Sequence, residues 1–107
     1  MSRKIIVHDE ARLDVIEIAF YIAEDSLDAS DRFVEAVGTA FGHLVDMPGI
    51  GVRREYSNPK LKGMRMWPVP GFVNNLIFYF ATATELRVFR VMHGARDIES
   101  LFLSESE

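Results

Sequence analysis

The chain contains no cysteine. Disulfide scaffolds, zinc ribbons and thiolate nucleophiles are therefore excluded. Proline and tryptophan are sparse, at four and one in 107 residues, and no apolar run approaches the roughly 18 residues of a membrane-spanning helix. The opening MSRKIIVHDEAR meets charge directly after Ile5-Ile6-Val7, too short a run for the centre of a signal peptide. A cytoplasmic protein without membrane contact is expected. Walker loops, His-Glu-x-x-His pairs and G-x-S-x-G serines are also missing, so neither a cofactor nor a metal is expected.

What is present suffices for one domain over residues 1–107, since 49% of the side chains are hydrophobic. The formal net charge of -4 argues weakly against a polyanion partner. That total conceals a division along the chain. Residues 1–47 hold ten acidic and four basic side chains, residues 48–96 hold eight basic and two acidic ones, and residues 97–107 add four acids. An acid, base, acid order points to a polyanion or an acidic partner at the middle segment.

Periodicity supplies the elements. Lys4-Ile5-Ile6-Val7 is a β-branched run long enough for one strand. Asp9 is placed to cap a helix in which Leu13, Ile16, Phe20 and Ala23 recur at helical spacing, with Val15, Ile18, Ala19 and Ile22 widening the stripe. Asp14, Glu17, Tyr21 and Glu24 then face water. After a connection at Asp25–Asp28, with Asp28 or Ser30 as cap, Phe33, Val37, Ala40 or Phe41, and Leu44 define a second helix that Met47-Pro48-Gly49 stops. Two helices on so short a link form an antiparallel hairpin.

Residues 48–63 combine two prolines and three glycines with basic residues and read as an exposed loop. Strands follow at 64–70, where Pro68 forces an edge or a bulge, and at 76–83 and 86–93, joined at hairpin distance. Gly71–Asn75 reads as a turn. A last short helix over 97–102 would turn Ile98, Leu101 and Phe102 inward. The expected fold class is α+β: an N-terminal strand, an αα-hairpin, a three-stranded antiparallel sheet and a short C-terminal helix.

Arg53, Arg54, Lys60, Lys62 and Arg65, interrupted by Tyr56 and followed by Trp67, suit nucleic-acid phosphates with base stacking, or an acidic protein segment. A solvated loop with Trp67 in the core is the plainer reading. Of the histidines, His43 reads as a solvated side chain on the second helix. His93 stands at a strand end before Gly94-Ala95-Arg96-Asp97, where a hydrogen bond that ties the turn together outweighs catalysis. Arg96 offers a guanidinium fork to a partner's phosphate or carboxylate, or to an internal acid, with equal weight. An enzyme without other nucleophiles would be a small acid/base ribonuclease that uses the 2′-OH of RNA.

The run Trp67-Pro68-Val69-Pro70-Gly71-Phe72, then Leu76-Ile77-Phe78-Tyr79, and above all Arg90-Val91-Met92-His93-Gly94-Ala95-Arg96-Asp97 resemble the RelE/ParE toxin superfamily, its ParE branch in particular. The resemblance extends over nearly the whole chain. It implies the toxin of a bacterial type II toxin–antitoxin pair, held by a cognate antitoxin that carries a DNA-binding domain and so links the complex to operator DNA. ParE-like members imply inhibition of DNA gyrase, and RelE-like members imply ribosome-dependent cleavage of messenger RNA. Ribonuclease members place an arginine at a strand position that falls here on Asn75 or Leu76, a turn arginine matched by Arg96, and a helix tyrosine whose place is taken by Phe102. Phenylalanine cannot transfer a proton. The expectation is therefore a protein-binding toxin with no catalytic residue, whose target and partner contacts are Arg53, Arg54, Lys60, Lys62, Arg65, Trp67, Arg90 and Arg96. The alternative is a messenger endonuclease with His93, Arg96 and Arg65 at its centre.

Overall fold

The computed structural model describes residues 3–94. The expected helix over 97–102, together with Arg96 and Phe102, lies outside the described residues. Within them run β1 (Lys4–Val7), α1 (Asp9–Ala23), α2 (Leu27–Asp46), β2 (Val52–Arg53), β3 (Arg65–Val69), β4 (Phe72–Ala81) and β5 (Glu85–His93). The α+β class and the helical hairpin agree with the sequence reading; the sheet does not.

Instead of three antiparallel strands, five form one mixed sheet in the order β1-β5-β4-β3-β2. The N-terminal strand joins it in parallel, with Lys4 opposite Glu85 and Val7 opposite Val88. A parallel neighbour needs a long crossover, and the whole helical hairpin plus three strands serves as that connection. The added β2 occupies the segment read as loop and pairs only Val52 with Met66 and Arg53 with Arg65. Pro68 behaves as its missing N–H requires: the β3–β4 register shifts between Pro68 and Val69, beyond the reach of β2. The residues read as a turn at 71–75 mostly belong to β4, because Gly71 alone adopts a positive φ of 81° and lets the strand start at Phe72.

Alternation along β4 and β5 gives the sheet two apolar faces. Ile77, Tyr79, Val88 and Val91 meet Phe33, Val37, Ala40 and Leu44 of α2 and Ala11 of α1 in the main core. On the far face Phe78, Phe89 and Met92 pack with Leu61 and Met64. Leu61 and Met64 are 0% exposed, so the segment before β3 is not a free loop but a strap that closes the sheet's second side. Its single turn at Pro59–Leu61 is capped by Asn58, whose side chain accepts from Lys60 N at 2.9 Å.

Both helix starts differ from the sequence reading. Ser26, not Asp28 or Ser30, caps α2 by accepting from Ala29 N at 3.0 Å. Ser30 is spent on the hairpin itself, where its hydroxyl donates to Ala19 O at 2.7 Å. Asp9 lies inside α1, and His8 takes the cap position with no side-chain capping bond. The larger difference is rotational. Ala11, Val15, Ile18, Ala19 and Ile22 face the core, whereas Leu13, Ile16 and Phe20, expected inside, are exposed.

Candidate functional site

β1 ends at Val7, and His8 N donates to Val88 O at 3.0 Å as the chain turns into α1. From there β5 has no strand on that side, which would leave backbone groups open. Asp14 of α1 returns to the same edge and accepts from Val91 N at 3.0 Å. Its carboxylate also takes a two-pronged bond from Arg90, at 2.7 Å from Nε and 2.9 Å from Nη2. Asp14 is therefore not on a wet face, and Arg90, expected as a partner contact, is held within the fold. The Arg90 and Asp14 side chains keep 16% and 12% of their surface in solvent.

Past this ion pair lies a cleft of about 460 Å³ between α1 and the end of the sheet. Ile18, Tyr21 and Ile22 form its helix wall, Phe72 and Asn75 its floor, and His93 and Glu17 its polar rim. Asn75 and His93 are opposite one another in the β4–β5 ladder. Asn75 is 7% exposed, and its Oδ1 has no hydrogen-bond partner. A buried carbonyl oxygen in this state costs free energy until a donor arrives. The cleft is thus suited to an apolar side chain with an N–H or O–H beside it. Gly94 N donates to Asn74 O at 2.6 Å, which fixes the end of β5 at this rim.

The basic residues gather elsewhere. Arg53 and Arg65, opposite each other in β2 and β3, line a shallow depression of about 330 Å³ with Pro48, Gly49 and Gly63. Arg65 donates to Gly51 O at 2.7 Å and Gly49 O at 3.3 Å. Tyr79, directly opposite Arg65 in the ladder, donates to Pro48 O at 2.7 Å and accepts from Gly51 N at 3.0 Å. Together they pin the turn at 48–51 under the depression. Burial raises the Tyr79 phenol above its ordinary value, against the lowering effects of the Gly51 N–H and the Arg65 charge. Arg54, Lys60 and Lys62 are exposed along the strap. Trp67 is half-buried and packs against the main core.

His93 and Arg65 do not share a site. They are opposite Asn75 and Tyr79 respectively on β4, four residues or about 13 Å apart along the strand, and on its two flanking neighbours. One phosphodiester cannot meet both. His8, with its ring edge-on to Phe89 at 5.8 Å, is structural, and His43 is exposed on α2. Sequence reasoning missed the Asp14–Arg90 clamp and the orphaned Asn75. The only signal for the clamp was an acid one helical turn off the apolar stripe of α1.

Among curated proteins no match was found. Among solved structures, one titled "Chromosomal ParDE TA system from P. aeruginosa" is similar, with 14% identity, a TM-score of 0.68, and coverage of 87% of this chain and 97% of that one. At that identity the likeness speaks for the fold. The family described as "ParE toxin of type II toxin-antitoxin system, parDE" matches residues 5–98. With nearly the full sheet and both helices inside that match, the chain belongs to the ParE toxin family.

Proposed function

We propose that the protein inhibits DNA gyrase, that a cognate antitoxin with a DNA-binding domain neutralises it, and that operator DNA is reached only through that antitoxin. Family membership supports the toxin role. The observation that carries the choice of target is Asn75. The strand arginine of ribonuclease relatives falls on Asn75 or Leu76, neither of them cationic, Asn75 being a buried, uncharged amide, and His93 cannot serve a phosphate held at Arg65. Beside the basic depression the Tyr79 hydroxyl is engaged by Pro48 O and Gly51 N and its proton is held more tightly by burial, which supports binding over proton transfer there.

The exposed cations Arg53, Arg54, Lys60 and Lys62 form the target-facing surface, with Arg65 holding the turn beneath them. The cleft between α1 and the sheet receives apolar side chains of the antitoxin, whose backbone N–H satisfies Asn75 Oδ1. Purified protein should block supercoiling by gyrase while translated messenger stays intact. Unimpaired supercoiling at saturating protein overturns this reading.

One feature favours the second reading, ribosome-dependent messenger cleavage: Arg53 and Arg65 line a common depression that fits a phosphate. Codon-specific cuts in translated RNA that are lost in Arg65→Ala would establish it. The loss of those cuts in His93→Ala, with Arg65→Ala unaffected, would shift the centre to the cleft.

A further inference from the structure

Asn75 stands in the inward row of β4 with Ile77 and Tyr79, both fully buried in the main core. The Tyr79 hydroxyl is answered twice, by Pro48 O and Gly51 N. The Asn75 amide is not: the residue is 7% exposed, and Oδ1 has no partner. Leucine, with the same branching, would fill this position without stranding an acceptor. Nothing in the described fold calls for the carbonyl, so its use lies with something that enters the cleft.

The surroundings define what that is. At about 460 Å³ the cleft falls within the size range of small-molecule sites. The side chains of Ile18, Ile22 and Phe72 bring no polar atom to it, so a water bonded to Oδ1 would fall short of the about three partners that a buried water takes. A donor carried on an apolar body meets no such shortage. Two aromatic rings give the body its shape. Phe72 is held edge-on against Phe33, with 5.3 Å between centroids and 83° between planes, which makes it a fixed floor. Tyr21 on the helix wall is 73% exposed and enters none of the ring pairs among the described residues. A flat ring lying between them gains two aromatic contacts.

We infer that the Asn75 cleft is a binding site for a small, flat aromatic heterocycle of the indole class, whose single N–H bonds Asn75 Oδ1 and whose ring lies between Tyr21 and Phe72. Polar substituents of the ring belong at the mouth, beside Glu17 and His93. Such a ligand competes with any antitoxin side chain that enters the same cleft. That competition rests on the antitoxin reading; the binding of the ring does not.

The test titrates indole, N-methylindole, benzofuran and N-acetyltryptophanamide into the full chain and reads binding from NMR shift changes. Indole should bind at least about fivefold tighter than N-methylindole or benzofuran, which keep the shape and lack the donor. Shifts should centre on Ile18, Ile22, Phe72 and Asn75. Asn75→Leu should abolish the preference for indole over N-methylindole, and Ile22→Trp, which fills the cleft, should weaken all four probes. Equal binding of indole and N-methylindole, shifts centred elsewhere, a preference that survives Asn75→Leu, or no binding at millimolar probe would overturn the inference. So would tighter binding of N-acetyltryptophanamide than of indole, which would make the cleft a pocket for a partner's tryptophan. If Asn75→Leu does not fold, the donor comparison on the unchanged chain still decides. Neither gyrase nor antitoxin enters this assay, so its failure leaves the supercoiling result untouched. The antitoxin reading fails separately, through antitoxin binding that Ile22→Trp leaves unchanged.

Discussion

Asp14 completes three hydrogen bonds at the point where β5 runs out of parallel neighbour. Asp14→Ala would take two charged hydrogen bonds from the partly buried Arg90 guanidinium and one from an edge N–H together. The expected loss is about 2–3 kcal/mol in urea unfolding, against less than about 0.5 kcal/mol for exposed Glu24→Ala. Tyr79 gives a pH signature. Its raised folded-state value means that the folded protein holds the phenolic proton more tightly than the unfolded chain does. That contribution is complete below the ordinary value of 10.0 and is lost as pH rises through the raised one. Tyr79→Phe should be less stable at neutral pH by about 1–3 kcal/mol, since Pro48 O and Gly51 N lose their partner, yet its stability should fall less between pH 9 and 11. Gly51 belongs to the same contact: an added Cβ would come within 2.8 Å of the Tyr79 ring, so Gly51→Ala should cost about 1–3 kcal/mol. None of these pairs was legible beforehand. Asp14 and Arg90 are 76 residues apart, and periodicity reports a helix's phase without naming the strand edge beside it.

Elements were more legible than their faces. The hairpin and the three strands from 65 to 93 follow from spacing and β-branched runs, and the four apolar positions of α2 fell inside as expected. α1 misled because it carries two overlapping apolar stripes. Both satisfy a helical period, and only the sheet's position selects Ala11, Val15, Ile18 and Ile22 over Leu13, Ile16 and Phe20. The strap was hidden for a related reason: composition rich in proline, glycine and charge marks it as loop, while its attachment rests on Leu61 and Met64 with Tyr56 packed beside them. Leu61→Ala should therefore cost about 2–4 kcal/mol, whereas Lys60→Ala beside it should stay within about 0.5 kcal/mol. In α2 the sign reverses. Gly38→Ala, with open space at its Cβ, should raise stability by up to about 1 kcal/mol in the same unfolding assay.

At the scale of the whole molecule, charge segregation survives folding, with the acidic hairpin on one side and the exposed cations of β2 and the strap on the other. Neutralising Arg54, Lys60 and Lys62 together should weaken target binding and flatten its dependence on salt between low and physiological ionic strength. Removal of Glu17 should leave the salt slope nearly unchanged. Asp14 cannot serve as the acidic control, because its loss unsettles the fold.

The parallel pairing of β1 with β5 also governs when the toxin can exist. Lys4 must wait for Glu85, so a strand made before the helical hairpin is completed by one made well after it. During synthesis the helical hairpin, whose contacts are local, can form early, while the sheet and everything positioned on its edge assemble only after β5 has emerged. The basic surface and the Asn75 cleft are therefore late products of folding, and a chain stopped short of residue 93 carries the hairpin without a working toxin.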